Sequence, residues 1–302
     1  MTGTPSEIHR EAIRRGGRGQ APTPGLSPGL YLVSTPIGNL RDITLRALDV
    51  LSGADRILAE DTRVTRRLLD AYDIRVELQA YHDHNGEKVR PQILADLTAG
   101  AALALVSDAG TPLVSDPGFK LVREAVAAGV NVVAIPGASA VLTALAIAGL
   151  PTDSFTFAGF PPQKTGAREA WLEQFRHLPG SLVIYEGVSR LPASLASMAR
   201  IFGDRPAAVC RELTKLYEEA RRGSLNELAA HYAEAGPPRG EVVIVIGPPP
   251  QDDWNETRID TALEAALGEM RVKDAAAAVA DASGWSRRDV YARALALKRG
   301  AT

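Results

Sequence analysis

Short apolar runs punctuate the first half of the chain: LYLVS (30–34), RILAE (56–60), VELQAY (76–81), ALALVS (102–107) and NVVAIP (131–136), with helical patterns between them. Runs of this length bounded by Gly, Pro, Asn and Asp read as strands. Strands that alternate with helices need crossover connections, so the spacing predicts repeated βα units and a mainly parallel sheet. In SDPGFKLVREAVAAG, Ser115 or Asp116 caps a helix, Pro117 takes its first turn and Gly129 stops it. The next pattern, ASAVLTALAIAG (138–149), is apolar nearly all round, which predicts a buried helix.

After LPTDSF the pattern changes. SFTFAGF (154–160), SLVIYEG (181–187), AAVCREL (207–213), YEEARRGS (217–224) and EVVIVIG (241–247) alternate with helices near 166–178, 191–202 and 225–235. Runs 207–213 and 217–224 are close enough to form a hairpin, so this half is expected to hold a mixed sheet. The expected plan is a disordered tail over 1–28, α/β domains over 29–150 and 151–250, and a linker with a small helical tail over 251–302. Residues 1–28 are rich in Gly, Pro and Arg with little to bury. In the tail, RVKDAAAAVADASGWSRRDVYARALALK (271–298) gives an Ala-rich helix, a turn on Ser283 and Gly284, and a second helix from Ser286. That is a helix-turn-helix outline, used either to dock on nucleic acid or as a protein-contact bundle.

Composition narrows the function classes. At 302 residues, 45% apolar and 23% charged, the chain is ordinary globular material. It has no run of eighteen apolar residues and no apolar signal core, so neither a membrane span nor export is indicated and the cytosol is the default. Its single cysteine, Cys210, has no internal disulfide partner and reads as a small buried residue. The net charge of −2 combines +2 over 1–28 and +1 over 254–302 with a more acidic middle, so any nucleic-acid contact must come from local patches.

Chemistry-bearing residues cluster after the strands. LVSDAGTPLVSDPG (105–118) builds a rigid irregular loop at a strand end, where open α/β sheets bind ligands; Asp108 can accept hydrogen bonds from a ribose or amine, and Gly110 allows close approach. LVSTPIGNLRDIT (32–44) has one glycine, Gly38, where a phosphate cradle would have several. AIPGASAV (134–141) misses the nucleophile-elbow pattern at Val141, so Ser139 reads as part of a backbone-contact loop rather than a hydrolase nucleophile.

The remaining motifs each carry two readings. Glu60, Asp61 and Arg63 in AEDTRVTRR either cap a helix or line a site. His82 and His84 in YHDHNGEK fall short of a metal ligand set, and polar substrate contacts fit better. Lys164 and Arg168 in GFPPQKTGAREAW are phosphate contacts or a solvated helix start. Glu186, Arg190, Arg211, Glu212 and Lys215, in YEGVSR and CRELTKLYEE, line a cleft or face solvent.

Taken in order, STPIGNLRDIT, AEDTRVTRRLL, YHDHN, LVSDAGTPLVSDPG, VVAIPGASA, ALAIAGLP, GFPP, YEGVSR and CRELTKLYEE resemble the ribosomal RNA small subunit methyltransferase I family of the tetrapyrrole methylase superfamily. The match runs from about Leu30 to Gly247, and the tail looks like that family's helix-turn-helix appendage. The departures are Ser34 before TPIGNL and the Arg-bearing segment 1–28. The resemblance implies two α/β domains with S-adenosylmethionine (SAM) in the cleft between them, a homodimer, and no metal. It implies methyl transfer to the ribose 2′-hydroxyl of a cytidine in the decoding region of small-subunit (16S) ribosomal RNA.

Carried over by position, SAM would meet Ser107, Asp108, Ala109, Gly110, Thr111 and Leu113 on one loop, and Ser139, Thr143 and Ala144 on another. Tyr185 and Leu213 would contribute from the second domain, and Pro36 from the loop after the first strand. A ribose hydroxyl is a weak acid, so a base or cation is expected nearby, with Glu60, Asp61, Glu186, Glu212 and Lys215 as candidates. Arg63, Lys164, Arg168 and Arg211 are expected on RNA phosphates, and His82 and Asn85 on a base or ribose. The rival readings are methylation of a tetrapyrrole precursor, a non-catalytic ribosomal RNA-binding assembly protein and, more distantly, a metal hydrolase built on HDH.

Overall fold

The computed structural model describes residues 25–82, 84–114, 118–249 and 255–300. The chain forms two compact units, one ending at Pro249 and one beginning at Pro250. The expected tail and linker fall largely outside the described residues, as do the expected helix cap at Ser115 or Asp116 and the first-turn Pro117.

The first unit opens with β1 (Gly29–Val33), a single 3-10 turn (Leu40–Asp42) and α1 (Leu45–Gly53). It continues through β2 (Arg56–Ala59), α2 (Thr62–Ala71), β3 (Leu78–Ala80), α3 (Gly86–Thr98), β4 (Ala102–Val106), α4 (Phe119–Ala127) and β5 (Val132–Ile135). These five strands form one sheet in the order β3-β2-β4-β1-β5, with every pairing parallel. Period-2 alternation sends Tyr31, Val33, Ile57, Ala104 and Val106 into the core on one face. Leu30, Leu58, Leu103 and Leu105 enter the core on the other. A sheet covered on both faces needs continuously apolar strands, and the sequence supplies them. Each fully buried Leu or Ile contributes about 1.5–3 kcal/mol.

α5 (Ala140–Ala148) leaves the first sheet and packs on the second. Next come β6 (Phe155–Phe157), α6 (Thr165–Glu173), β7 (Ser181–Gly187), α7 (Leu191–Phe202), β8 (Pro206–Arg211), β9 (Glu219–Ser224), α8 (Leu225–Ala235) and β10 (Glu241–Ile246). The sheet order is β6-β7-β10-β8-β9; β6 runs parallel to β7 and the other pairings are antiparallel, including the β8–β9 hairpin. Leu182, Ile184, Val209, Val242 and Ile244 face the helices. Val183, Cys210, Val243 and Val245 face α5 and Ile37, which comes from the loop after β1.

α5 corrects the expectation of a helix buried all round. Val141, Ala144, Leu145 and Ala148 are buried, whereas Leu142 is 57% exposed. The helix has the second sheet on one side only, so its opposite apolar face is left at the surface of the chain.

The second unit packs α9 (Glu256–Leu267), α10 (Val272–Ser283) and α11 (Arg287–Gly300) around Ile259, Leu263, Ala276, Val279, Ala280, Val290 and Ala294. Gly284 ends α10 in the left-handed region at φ 71°, making the turn of a helix-turn-helix. Arg293 bonds Asp260 at 2.7 and 2.8 Å, tying α11 to α9.

Candidate active site

β4, β1 and β5 lie side by side, so the loops that follow them meet at the C-terminal edge of the first sheet. They are laced together. Thr35 and Gly110 exchange backbone hydrogen bonds at 2.9 and 3.1 Å, and the Thr35 hydroxyl donates to the Ser107 carbonyl at 3.2 Å. Ser34 donates to the Thr111 hydroxyl, which donates to the Ala138 carbonyl. Gly137 approaches Ser34 so closely that a β-carbon there would stand 2.8 Å from Ser34 Cβ. Gly110 holds φ 84°, a conformation open to glycine.

At the end of β2, Asp61 caps α2 and is chelated by the Arg63 side chain. Hydrogen bonds from the Arg63 guanidinium, then from its backbone N–H, hold the Asp61 carboxyl at about 2. The Asp61 N–H donates to Asp108 Oδ1 at 2.9 Å, coupling this turn to the loop after β4.

The facing wall comes from the ends of β7, β8 and β10. Tyr185 packs edge-on against Phe157 and lies 5.3 Å from Phe160. Between β8 and β9, Glu212 and Thr214 hold φ 50° and 66°, unusual for residues with side chains and costing about 1–3 kcal/mol each. This turn throws Lys215 across the gap between the sheets, where its stem lies on Gly38. Its ammonium bonds Glu212 and Glu241, each at 2.9 Å. The Lys215 bond pulls the Glu212 carboxyl below its ordinary value. For Lys215, burial lowers the pKa, but the bonds to the two glutamates outweigh it and the net shift is upward.

These walls enclose a cavity of about 360 Å³, within the range of small-molecule sites. Of the residues singled out from sequence, Glu60, Asp108, Ala109, Gly110, Thr111 and Ser139 border it from the first-sheet side. Tyr185, Glu186 and Leu213 border it from the other. Ile37, Val114, Ala140, Phe160, Glu241, Val242 and Val243 also line it and escaped the sequence reading. For Glu241 there was a signal: a carboxylate directly after a glycine, heading a strand that is otherwise wholly apolar.

Other expected positions do different work. The buried Ser107 hydroxyl braces its own loop on the Gly110 carbonyl. Leu113, at φ 74°, packs with the core under the sheet, and Val114 takes the cavity position. Thr143 donates to the Ser139 carbonyl and Ala144 is fully buried; at the start of α5 the cavity is bordered by the expected Ser139 and by Ala140. Pro36 is half-buried beside the lining residue Ile37.

The expectation that Arg168 holds an RNA phosphate is corrected. It is 3% exposed, and its guanidinium donates to the Ser197 hydroxyl, the Gln163 and Ala193 carbonyls and Thr165. An enclosed, committed guanidinium ties α6 to α7 and cannot meet a solvent-borne phosphate. Glu186, one of the candidate bases, borders the cavity but is buried and accepts from Gly187 N–H, Arg190 and Ser194.

Asn85 clamps its own turn, accepting from His82 N–H and donating to the Ala80 carbonyl. The His82 and His84 rings lie 6.0 Å apart, and Asp83 between them is outside the described residues. Arg211 pairs with Glu219 and the Arg239 carbonyl. Lys164 is exposed at the start of α6, and the Arg63 side chain is 86% exposed.

A parallel sheet joined to a mixed sheet, with a cavity between the loops of the two, is the architecture of the tetrapyrrole methylases. The family described as Tetrapyrrole (Corrin/Porphyrin) Methylases matches residues 29–229, and the RsmI C-terminal HTH domain matches residues 253–298. Uroporphyrin-III C-methyl transferase from Thermus thermophilus, solved in complex with S-adenyl homocysteine, shares the fold at a TM-score of 0.50 and 22% identity, over 72% of this chain and 97% of that one. Within the class, the chain is 48% identical to ribosomal RNA small subunit methyltransferase I of Mesorhizobium japonicum, over 93% of this chain and 96% of the relative. It is 49% identical to the protein of the same name from Erythrobacter litoralis, over 90% and 96%. The chain belongs to the ribosomal RNA small subunit methyltransferase I family.

Proposed function

We propose that this protein transfers the methyl group of SAM to the 2′-hydroxyl of a cytidine ribose in the decoding region of small-subunit ribosomal RNA. The observation that carries the reading is the cavity between the laced first-sheet loops and the apolar second-sheet wall, in a chain with this family membership.

The residues present fit SAM. Its adenosine and methyl group suit the wall of Tyr185, Leu213, Val242 and Val243, and its amine and sulfonium suit a site bordered by Asp108 and Glu60. It carries no phosphate, so a single-glycine loop after β1 suffices where pyrophosphate would need several. The loop 108–111 and Ser139 would hold it from one side and Tyr185 and Leu213 from the other. When bound, SAM supplies a methyl group activated by a positively charged sulfur.

The protein's own part is alignment and exclusion. Loops cross-bonded through Thr35, Gly110 and Thr111 hold their geometry before any ligand arrives, which saves the entropy of ordering them during reaction. The apolar wall keeps competing water from the transfer path. Of the cations expected on RNA phosphates, Arg63 and Lys164 are exposed and would meet them. A homodimer fits the apolar surface left by Leu142 on α5, and light scattering on the purified protein reads its mass directly.

The test is a map of 2′-O-methylated riboses in ribosomal RNA from cells with and without the gene. One cytidine mark in the small subunit disappears with the gene. An unchanged map, or methylation of a porphyrin precursor by the purified protein, would refute the reading.

A further inference from the structure

Methyl transfer to a hydroxyl needs an acceptor for its proton, and among the described residues four carboxylates border the cavity: Glu60, Asp108, Glu186 and Glu241. They are not equivalent. Glu186 is buried and both its oxygens are already engaged, Oε1 by Gly187 N–H and Arg190 and Oε2 by Ser194, so its carboxylate is turned into the protein rather than toward an incoming ribose. Glu60 and Asp108 stand on the first-sheet side, where Asp108 is tied to Asp61 N–H on the loops assigned to the methyl donor.

Glu241 is built differently. It heads β10, its side chain is 80% exposed, and Val242 and Val243 continue the cavity wall behind it. Glu212 Oε1 accepts its backbone N–H at 3.0 Å, and Lys215 Nζ lies 2.9 Å from its Oε2. Lys215 is itself held by Glu212 and rests on Gly38, so the carboxylate is aimed from both sheets.

We propose that Glu241 is the general base that takes the proton of the target ribose hydroxyl, and that Lys215 is the positioning residue that aims it. The assignment rests on the function proposed above. As the ribose O–H bond breaks, its proton passes to Glu241, and the oxygen pair forms a bond to the methyl carbon. The bond from that carbon to sulfur breaks with its electron pair left on sulfur. A sulfonium and a carboxylate thus become a neutral thioether and a neutral acid, and the exposed acid returns its proton to water.

The test uses the full chain, SAM and small ribosomal subunits from cells lacking the gene, with single-turnover methyl transfer as one readout. Calorimetric titration with S-adenosylhomocysteine and the thermal midpoint report cofactor affinity and folding without turnover. Glu241→Gln is expected to slow transfer about 100-fold or more, with cofactor affinity and midpoint unchanged. Glu241→Asp, which keeps the carboxylate but withdraws it by one methylene, falls between. Lys215→Met lowers kcat and leaves KM unchanged, and Lys215→Arg restores part of the loss. Transfer at the wild-type rate in Glu241→Gln overturns the assignment and leaves the proposed function standing, and loss of cofactor affinity in that variant overturns it too. Failure of the wild-type protein to methylate the subunits refutes the function itself, and the assignment falls with it.

Discussion

The side chain of Lys215 lies across Gly38 with no room between them: a β-carbon on Gly38 would stand 2.5 Å from Lys215 Cγ and 2.8 Å from its Cε. The two residues belong to turns of different sheets, so this contact sets how the lysine presents its ammonium to Glu212 and Glu241. Gly38→Ala must therefore displace the lysine or the loop after β1. Overpacking of this kind costs about 1–3 kcal/mol. We expect a lower urea midpoint and a fall in methyl transfer larger than the stability loss explains. A variant as stable and active as the wild type would show that the contact does not matter.

The Glu212–Lys215 pair gives stability a defined pH dependence. The Glu212 carboxyl sits below its ordinary value of 4.5, so its contribution is complete above that value and fades as pH falls through the lowered one. Lys215 is raised above 10.5, so its share is complete below that and lost as pH rises through the raised value. Urea titrations of wild type and Glu212→Gln should differ by a constant amount near neutrality. The difference should shrink below about pH 4.5, and a gap that persists into strong acid would contradict the pairing.

Arg168 and Arg63 separate a structural arginine from one proposed to face RNA. Arg168→Met removes a buried donor set and strands the Gln163 and Ala193 carbonyls and Ser197, so it should cost about 3 kcal/mol in chemical denaturation. The folded fraction should keep its affinity for the small subunit. Arg63→Ala should do the reverse, with little loss of stability, weaker binding and a salt-dependence slope shallower by about one.

Cys210 is fully buried where it lines the cavity, and burial pushes its thiol up to about 11. A neutral, enclosed thiol is a poor nucleophile. Alkylation of the native protein at pH 8 should be no faster than unfolding, with full reactivity in denaturant. Rapid labelling of the native protein would mean that the cavity lining opens.

Strands such as β4, β5 and β10 were legible because their runs are apolar and are followed within two residues by Gly, Pro or Asp. The β8–β9 hairpin was legible because so few residues separate its runs. Loops such as SDAGTP could be placed at a sheet edge for the same reason. What stayed hidden depends on partners far along the chain. Arg168, on a helix start, looks like a solvated cation until Ser197 and Ala193 come to meet it. Glu241 looks like a strand boundary until Lys215 reaches it from another turn. The left-handed Glu212 and Thr214 carry no glycine to announce them, since the tertiary contacts of the hairpin impose that backbone.

β1 is an interior strand of its sheet, yet both its partners, β4 and β5, come later in the chain. A nascent chain leaving the ribosome therefore carries GLYLV with no edge to pair with until residues 102–106, and then 132–135, have been made. At about 5–20 residues per second that wait lasts several seconds. The first sheet cannot assemble strand by strand from its N-terminus; it must close late, around a strand already waiting. During that interval this apolar segment is what chaperones can hold, and the rate of translation between residues 33 and 102 becomes a determinant of yield.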